Sequence, residues 1–380
     1  MSLLHIFNAG HDEALVPVAH VCQPSRAARL MERDLSALPT LWAAEGDVVL
    51  LPPDAPLPPD ALRRIAPGVR FIMAPADGRP LPAAFWDGIG GIAPWGYDLR
   101  LRHGLARLGA PERLLPDAAW IGSLVRPLSS RRTAVVLLPT IVGALSRTLP
   151  DLPVVGRSAW CTTADEARAV LAANGRSMCK TPWSCSGRGV FVAAWPVEEA
   201  VWRRIEKTMA TQGGVAIEPL YSVAADFAME FVADATEVRY AGLSVFETAG
   251  GRYGGNVVAG DAALAGRLPA GLRPALPAVG RVVADCLQRH IGGRYRGVMG
   301  VDMMVVRTAD GRWALHPFVE LNLRRTMGMV ALNLRGVLPA GAHFRIVPTR
   351  PWQAGEQVLA GGEAMAAIWD AGAMPADSAS

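Results

Sequence analysis

Lysine is almost missing from this chain: 36 of its 38 basic residues are arginine, and only Lys180 and Lys207 are lysine. An excess of charge is lacking too. The net charge is +4, with 38 basic and 34 acidic residues interspersed along 380 positions, so no basic tail or stripe points to nucleic acid. No hydrophobic run is long. The longest, residues 133–145, spans 13 positions, contains Pro139 and is flanked by Arg132 and Arg147, short of the roughly 20 residues that cross a bilayer. The five cysteines (22, 161, 179, 185 and 286) are odd in number and form no CxxC pair, which argues against a disulfide framework and against a zinc cluster. The N-terminus, MSLLHIFNAGHDE, has a short apolar run with no basic region before it, unlike a secretory signal. A cytoplasmic chain with no membrane or nucleic-acid partner is expected.

What is present is enough apolar sequence, 51% against 19% charged, to build a sizeable core in two or three domains. Strand patterns at 3–7, 48–51 and 69–73, with a helical stretch at 25–44, read as a short α/β unit with a parallel sheet. Residues 94–98 read as a surface loop. A helical pattern at 164–174 leads to a hairpin, 177–181 and 190–194. A helix at 197–211 and strands at 215–220, 226–232 and 238–246 follow, then a Gly-rich loop at 250–260 and a helix at 274–290. Strands at 298–307 and 312–323 are joined by an Asp-Gly turn at Asp310-Gly311. No internal repeat is visible, and the chain beyond 371 is small and polar, as in a frayed tail.

Three stretches carry chemistry. The first, Lys180-Thr181-Pro182-Trp183-Ser184-Cys185-Ser186-Gly187-Arg188-Gly189, sets a cation on a strand ahead of a loop whose amides and hydroxyls suit phosphates. It is not a P-loop, because the lysine precedes the glycines and a strand follows. Cys179 and Cys185 flank this loop as small inert residues. The second is Ile217-Glu218-Pro219-Leu220-Tyr221, an extended segment with backbone groups for an adenine edge, followed by Asp226 and Glu230, which share one strand face. In the third, Asp302 on one strand faces Glu320-Leu321-Asn322-Leu323-Arg324 on the next. A three-residue turn at 310–312 pairs 309 with 313 and sets Asp302 opposite Glu320. Like charges in that position need a cation between them, and two carboxylates with an amide oxygen suit Mg²⁺.

In order and spacing these stretches resemble the ATP-grasp superfamily, in the manner of carboxylate-amine ligases such as D-alanine-D-alanine ligase, over about residues 129–328. The resemblance implies an α/β fold of the α+β ATP-grasp kind. An N-terminal α/β pre-ATP-grasp-like domain (1–126) would precede two α+β subdomains clamping ATP: a small one with the phosphate loop (127–219) and a large one with the metal site (220–350). A C-terminal helix and frayed tail (351–380) would complete the chain. The implied cofactors are ATP and Mg²⁺, two ions, with Mn²⁺ as a substitute. Lys180 would meet the α- and β-phosphates, with Ser184, Ser186, Gly187 and Gly189 in the covering loop. Glu218 and Leu220 would belong to the adenine hinge, and Asp226 would bind ribose. Asp302, Glu320 and Asn322 would hold metal, and Arg324 and Arg325 would face phosphate or substrate carboxylate. The implied activity joins a small-molecule carboxylate to an amine, forming an amide through an acyl phosphate. A kinase releasing a phosphorylated product and a non-catalytic nucleotide-binding module are the alternatives, and a homodimer is compatible with all three.

Two positions depart from the family. Its second phosphate lysine, at the start of a helix 45 to 50 residues before Lys180, is replaced by Ser129-Ser130-Arg131-Arg132, making Arg131 the candidate. The arginine that D-alanine-D-alanine ligase has two residues before the metal aspartate is replaced by Gly300, leaving Arg239, Arg296 or Arg325 to take its place at the substrate. His11 and Glu13, directly after the first strand, are candidates for orienting an amino substrate, since ligands of open α/β sheets sit beyond the carboxyl ends of strands.

Overall fold

The computed structural model describes residues 1–16, 24–184, 189–249 and 252–371. Short apolar strands separated by helices give a parallel sheet at the N-terminus. β1 (Ser2–Ile6), β2 (Val48–Leu51), β3 (Arg70–Met73) and β4 (Ile89–Pro94) lie in the order β3-β2-β1-β4. β4 was not expected from the sequence, and neither was the fate of the segment after it. Trp95 is 4% exposed and Asp98 fully buried, the Asp98 carboxylate capping the helix Leu99–Arg107 by accepting from Leu101 N at 2.7 Å. This loop is core, not surface.

The 17-residue helix Arg132–Thr148 carries the longest apolar run and buries Leu137, Leu138, Ile141 and Leu145, while Pro139 stands inside it. No single helix among the described residues is long and apolar enough to cross a membrane. A small antiparallel sheet follows: β5 (Ala159–Cys161), β6 (Arg176–Lys180), β7 (Val190–Ala194) and β8 (Val215–Pro219), ordered β5-β8-β6-β7. Helices Ala164–Asn174 and Glu199–Gln212 pack on one face, around Leu171, Cys179, Ile205 and Ile217. Thr163 and Glu166 form a reciprocal capping box that fixes the start of the first of these helices.

The remaining strands are β9 (Ser222–Ala233), β10 (Val238–Ala249), β11 (Arg252–Val258), β12 (Gly297–Arg307), β13 (Trp313–Asn322), β14 (Ala342–Pro348), β15 (Gln357–Gly361) and β16 (Met365–Asp370). The chain divides into two units, one of 122–253 with 261–326, the other of 1–121 with 254–260 and everything from Met327 onward. In the first, β13-β12-β9-β10 form an antiparallel sheet; in the second, β11-β14-β16-β15 do. Two expectations are therefore corrected. The C-terminal segment forms strands instead of a helix, and it shares a core (Phe344, Leu359 and Ala367 with Phe7, Leu35 and Val49) with the N-terminal residues. The Gly-rich stretch at 250–260 contains a strand, because Asn256, Val257 and Val258 pair with Phe344, His343 and Ala342.

Candidate active site

On the small sheet, Lys180 lies opposite Ala216 and Met178 opposite Glu218, so Lys180 and Glu218 are diagonal neighbours on the face turned away from the helices. Their side chains meet, Nζ to Oε1 at 2.5 Å, with both residues buried. The strand returns as β7 with Val190 opposite Lys180, the expected hairpin. Thr181 N donates to Gly189 O at 2.8 Å, and Gly189 must be glycine: a Cβ there would lie 2.1 Å from Thr181 Oγ1 and 2.2 Å from Ser184 Oγ. Ser186 and Gly187 lie outside the described residues. Leu220 N donates to Arg176 O at 3.0 Å, so this hinge amide is engaged within the protein. A cleft of about 210 Å³, lined by Arg157, Val170, Asn174, Ile217 and Pro219 among others, lies against the opposite face of β8 from Glu218.

The larger sheet gathers the acids. Asp302 lies directly opposite Glu320, Gly300 opposite Asn322, and on its other side β12 places Asp302 beside Ala228, Gly300 beside Glu230 and Met304 beside Asp226. Period two then puts Asp226, Glu230, Asp302, Glu320 and Asn322 on one face. The Asp302–Glu320 pairing arises differently from the expected register. The β12–β13 connection closes at Arg307–Trp313, and two extra residues on β13 between His316 and Glu320 restore the opposition.

Burial, and then the charge of Glu320, push the Asp302 carboxyl well up, against a hydrogen bond from Asn322. Asp226, raised by burial, accepts from Thr248 Oγ1 at 2.9 Å. Oxygen donors alone, two of them opposed carboxylates, fit a hard divalent cation such as Mg²⁺.

Arg131 links the two sheets. It directly precedes the helix Arg132–Thr148 and is 6% exposed. Its Nη1 donates to Thr181 O at 3.0 Å and to Ser184 Oγ at 2.6 Å, and its Nη2 to Glu320 Oε2 at 3.0 Å. Arg324 donates from Nη2 to Asn322 Oδ1 and from Nη1 to Arg325 O, both at 3.0 Å. Arg325 is half-buried, its guanidinium pushed down to about 10 by burial. His316 is fully buried beside the Tyr221 ring, and burial followed by the charge of Lys180 pushes its imidazole down to about 3, keeping it neutral.

Glu230 is the residue that reading the sequence undervalued. It is 1% exposed, accepts from Thr326 Oγ1 at 2.8 Å through Oε2, and Oε1 has no hydrogen-bond partner among the described residues. Gly300 is glycine for its sake: a Cβ there would meet Thr326 Cγ2 at 2.7 Å and Glu230 Oε2 at 2.8 Å. Where the resemblance expects an arginine side chain at 300, a glutamate from the neighbouring strand takes the space.

Two substrate candidates lie toward the β9–β10 hairpin end of the larger sheet. Arg239 is half exposed at the β9–β10 hairpin, 3.2 Å from Glu237 and 3.8 Å from Asp234, and Arg296 is exposed just before β12. Arg296 lies six residues before Asp302, roughly 20 Å at strand rise, and four before Gly300, which stands beside Glu230. His11 is 1% exposed with Nδ1 3.3 Å from Asp98 Oδ2, in a network with Asn8. Glu13 accepts from Ser25 N at 2.6 Å and Ser25 Oγ at 3.0 Å, tying the first loop to the helix Arg26–Asp34. Both are engaged inside the N-terminal unit, so Glu13→Ala is expected to lower stability by about 1–2 kcal/mol and leave ATP affinity unchanged, as urea unfolding and calorimetry would show.

The chain has an ATP-grasp-like fold, with a small antiparallel sheet that contains the lysine-bearing hairpin and a larger antiparallel sheet that carries the acidic face. Similar solved structures include the biotin carboxylase from Campylobacter jejuni in a β-γ-ATP complex (12% identity, 96% of this chain and 86% of that one, TM-score 0.55). Another is the biotin carboxylase domain of 2-oxoglutarate carboxylase from Hydrogenobacter thermophilus with MgADP, ADP and bicarbonate (12%, 97% and 86%, 0.51). A third is N5-carboxyaminoimidazole ribonucleotide synthetase from Thermus thermophilus (12%, 97% and 93%, 0.50). At these identities the likeness is one of fold. No protein-family model and no curated protein matches the sequence.

Proposed function

We propose that this chain is an ATP-dependent ligase that phosphorylates a carboxylate and lets an amine attack the acyl phosphate. The observation that carries this reading is the single sheet face holding Asp302, Glu320 and Asn322, joined through Arg131 to the strand end and loop that follow Lys180. A carboxylate oxygen attacks the γ-phosphorus and ADP departs. The amine nitrogen then attacks the acyl carbon, phosphate leaves, and the amine proton passes to solvent. Positioning and charge neutralisation do most of the work in phosphoryl transfer, which suits a site made of cations and oxygen donors. Lys180 and Arg131 would face the phosphates, with Ser184 and Gly189 at the base of the covering loop, and Asp226 the ribose. Asp302, Glu320 and Asn322 would hold Mg²⁺, whose chemistry there is to neutralise phosphate charge. Arg324 and Arg325 would serve the substrate side. Adenine nucleotides in two of the similar structures support the nucleotide assignment.

The test is a screen of amino acids and small dicarboxylates by ADP release. ADP release that requires both a carboxylate and an amine is the expected result. Release with the carboxylate alone, giving a stable phosphorylated product, would make the chain a kinase, and no release with any pair would contradict turnover.

Lys180→Arg tests the phosphate contact. This chain uses arginine wherever positive charge suffices, so Lys207→Arg is expected to be silent. At position 180 a planar fork replaces a compact ammonium in a buried site beside Glu218. ATP binding or turnover is expected to fall by at least roughly tenfold, about 1.4 kcal/mol. Equal affinity and kcat in the variant and wild type would remove Lys180 from the site.

A further inference from the structure

Two oxygen-donor side chains of the proposed metal site face cations of the protein's own. Glu320 Oε2 receives Arg131 at 3.0 Å, and Asn322 Oδ1 receives Arg324 at 3.0 Å. The proposed phosphate cations are likewise neutralised by carboxylates, Lys180 by Glu218 and Arg131 by Glu320. Arg131 belongs to both sets, because the guanidinium that braces Ser184 at the loop is the one that holds Glu320.

Resting on the reading of this face as a metal–nucleotide site, we propose that Arg131 is the positioning residue that couples metal loading to nucleotide loading. It holds the Glu320 carboxylate until ligands bind and gives it up to the cation when phosphates arrive to take the guanidinium. Charge in a buried place sets the coupling. A divalent cation arriving alone must displace Arg131 from Glu320 and leave a guanidinium at 6% exposure without a counter-charge, which is costly. A nucleotide arriving alone must draw Arg131 away and leave Glu320 facing Asp302, carboxylate against carboxylate. Together the two ligands exchange partners and strand nothing. Each ligand is therefore expected to bind weakly alone and to strengthen the other, and such coupling is reciprocal.

The experiment removes each member of the pair and measures the opposite ligand. Mn²⁺ binding without nucleotide is followed by electron paramagnetic resonance on wild type and Arg131→Met. The variant is expected to bind Mn²⁺ at least roughly tenfold more tightly, within the range of typical coupling energies. ADP binding in EDTA is followed by calorimetry on wild type and Glu320→Gln, and the variant is expected to bind metal-free ADP roughly fivefold or more tightly, since Arg131 is released. A brace that merely supports the fold would move neither number. Unchanged Mn²⁺ affinity in a folded Arg131→Met, or unchanged or weaker ADP affinity in Glu320→Gln, overturns the proposal. Should Arg131→Met fail to fold, Glu320→Gln decides alone, because Glu320 lies at the partly exposed rim of the face. Mn·ADP binding to wild type that is lost in Asp302→Asn separates the two levels: its absence defeats the site itself, whereas its presence with silent variants defeats the role of Arg131 only.

Discussion

Asp302→Asn is expected to abolish metal-dependent turnover while making the metal-free chain more stable. Both effects come from one carboxylate held opposite Glu320 on adjacent strands, its protonation driven upward by burial and by that neighbour. In the working site the negative charge has a purpose, and removing one preorganised charge stabiliser typically costs roughly 3 kcal/mol of barrier, on the order of a hundredfold in rate. Without a cation opposite it the same charge would be a liability, and an amide of equal size relieves it while keeping an oxygen toward Asn322. Steady-state rates and urea midpoints measured on the same preparations check the two together. Undiminished turnover would remove Asp302 from the metal site, and a lower midpoint would show that its charge is satisfied in some other way.

The second large effect is a pH dependence of stability centred on Glu230. Desolvation, aided by the charge of Asp302 and opposed by the Thr326 hydrogen bond and by Arg324 and Arg325, pushes this carboxyl up from 4.5 to about 8. The folded chain therefore keeps a proton that the unfolded chain releases above pH 4.5, and the protein loses stability as pH climbs through this window, levelling off beyond pH 8. At about 1.4 kcal/mol per unit, the loss attributable to this one group is on the order of 5 kcal/mol. Glu230→Gln keeps an acceptor for Thr326 and removes the ionisation. It is expected to flatten the profile and to exceed wild type at pH 8.5 but not at pH 5. Parallel profiles in variant and wild type, from urea midpoints at the two pH values, would show that Glu230 is not buried as described.

Much of the acidic face was legible because strand periodicity is a local property. Asp226 and Glu230 share a face by counting alone, and Asp302 was expected opposite Glu320. That pairing holds, yet through two offsets that cancel: the turn closes two positions short, at Arg307 and Trp313, and a bulge before Glu320 makes up the difference. Neither offset is written in the turn residues, since Asp310-Gly311 suits loops of several lengths and Gly311 has the positive φ of +81° that each of them needs. Arg131 was a candidate through the resemblance, which places a phosphate cation at that spacing from Lys180, but its bond to Glu320 joins residues 189 positions apart and follows only from the packing of two sheets.

β4 and β11 were missed for a common reason. Ile89-Gly90-Gly91-Ile92-Ala93-Pro94 and Arg252-Tyr253-Gly254-Gly255-Asn256 are rich in the residues that signal turns, and partner strands make them extended. Gly300 shows the converse. Its neighbour Glu230 explains it completely, and that neighbour is known only once β9 is laid beside β12. His11, Glu13 and Asp98 illustrate a third case, in which polar residues near the ends of strands, a pattern that suggests ligand binding, have partners inside the N-terminal unit: His11 and Asn8 meet Asp98, and Glu13 accepts from Ser25.

The acidic face of the larger sheet and Lys180 are proposed to serve one metal–nucleotide site, and every role assigned above depends on it. Crystals grown with Mn²⁺ and ADP, with anomalous scattering recorded at the manganese edge, test this most directly. The expected result is manganese bound by the Asp302 and Glu320 carboxylates and the Asn322 amide oxygen, with the diphosphate contacting Lys180 and Arg131. Manganese or diphosphate bound away from these residues, in crystals where both ligands are fully occupied, would contradict it.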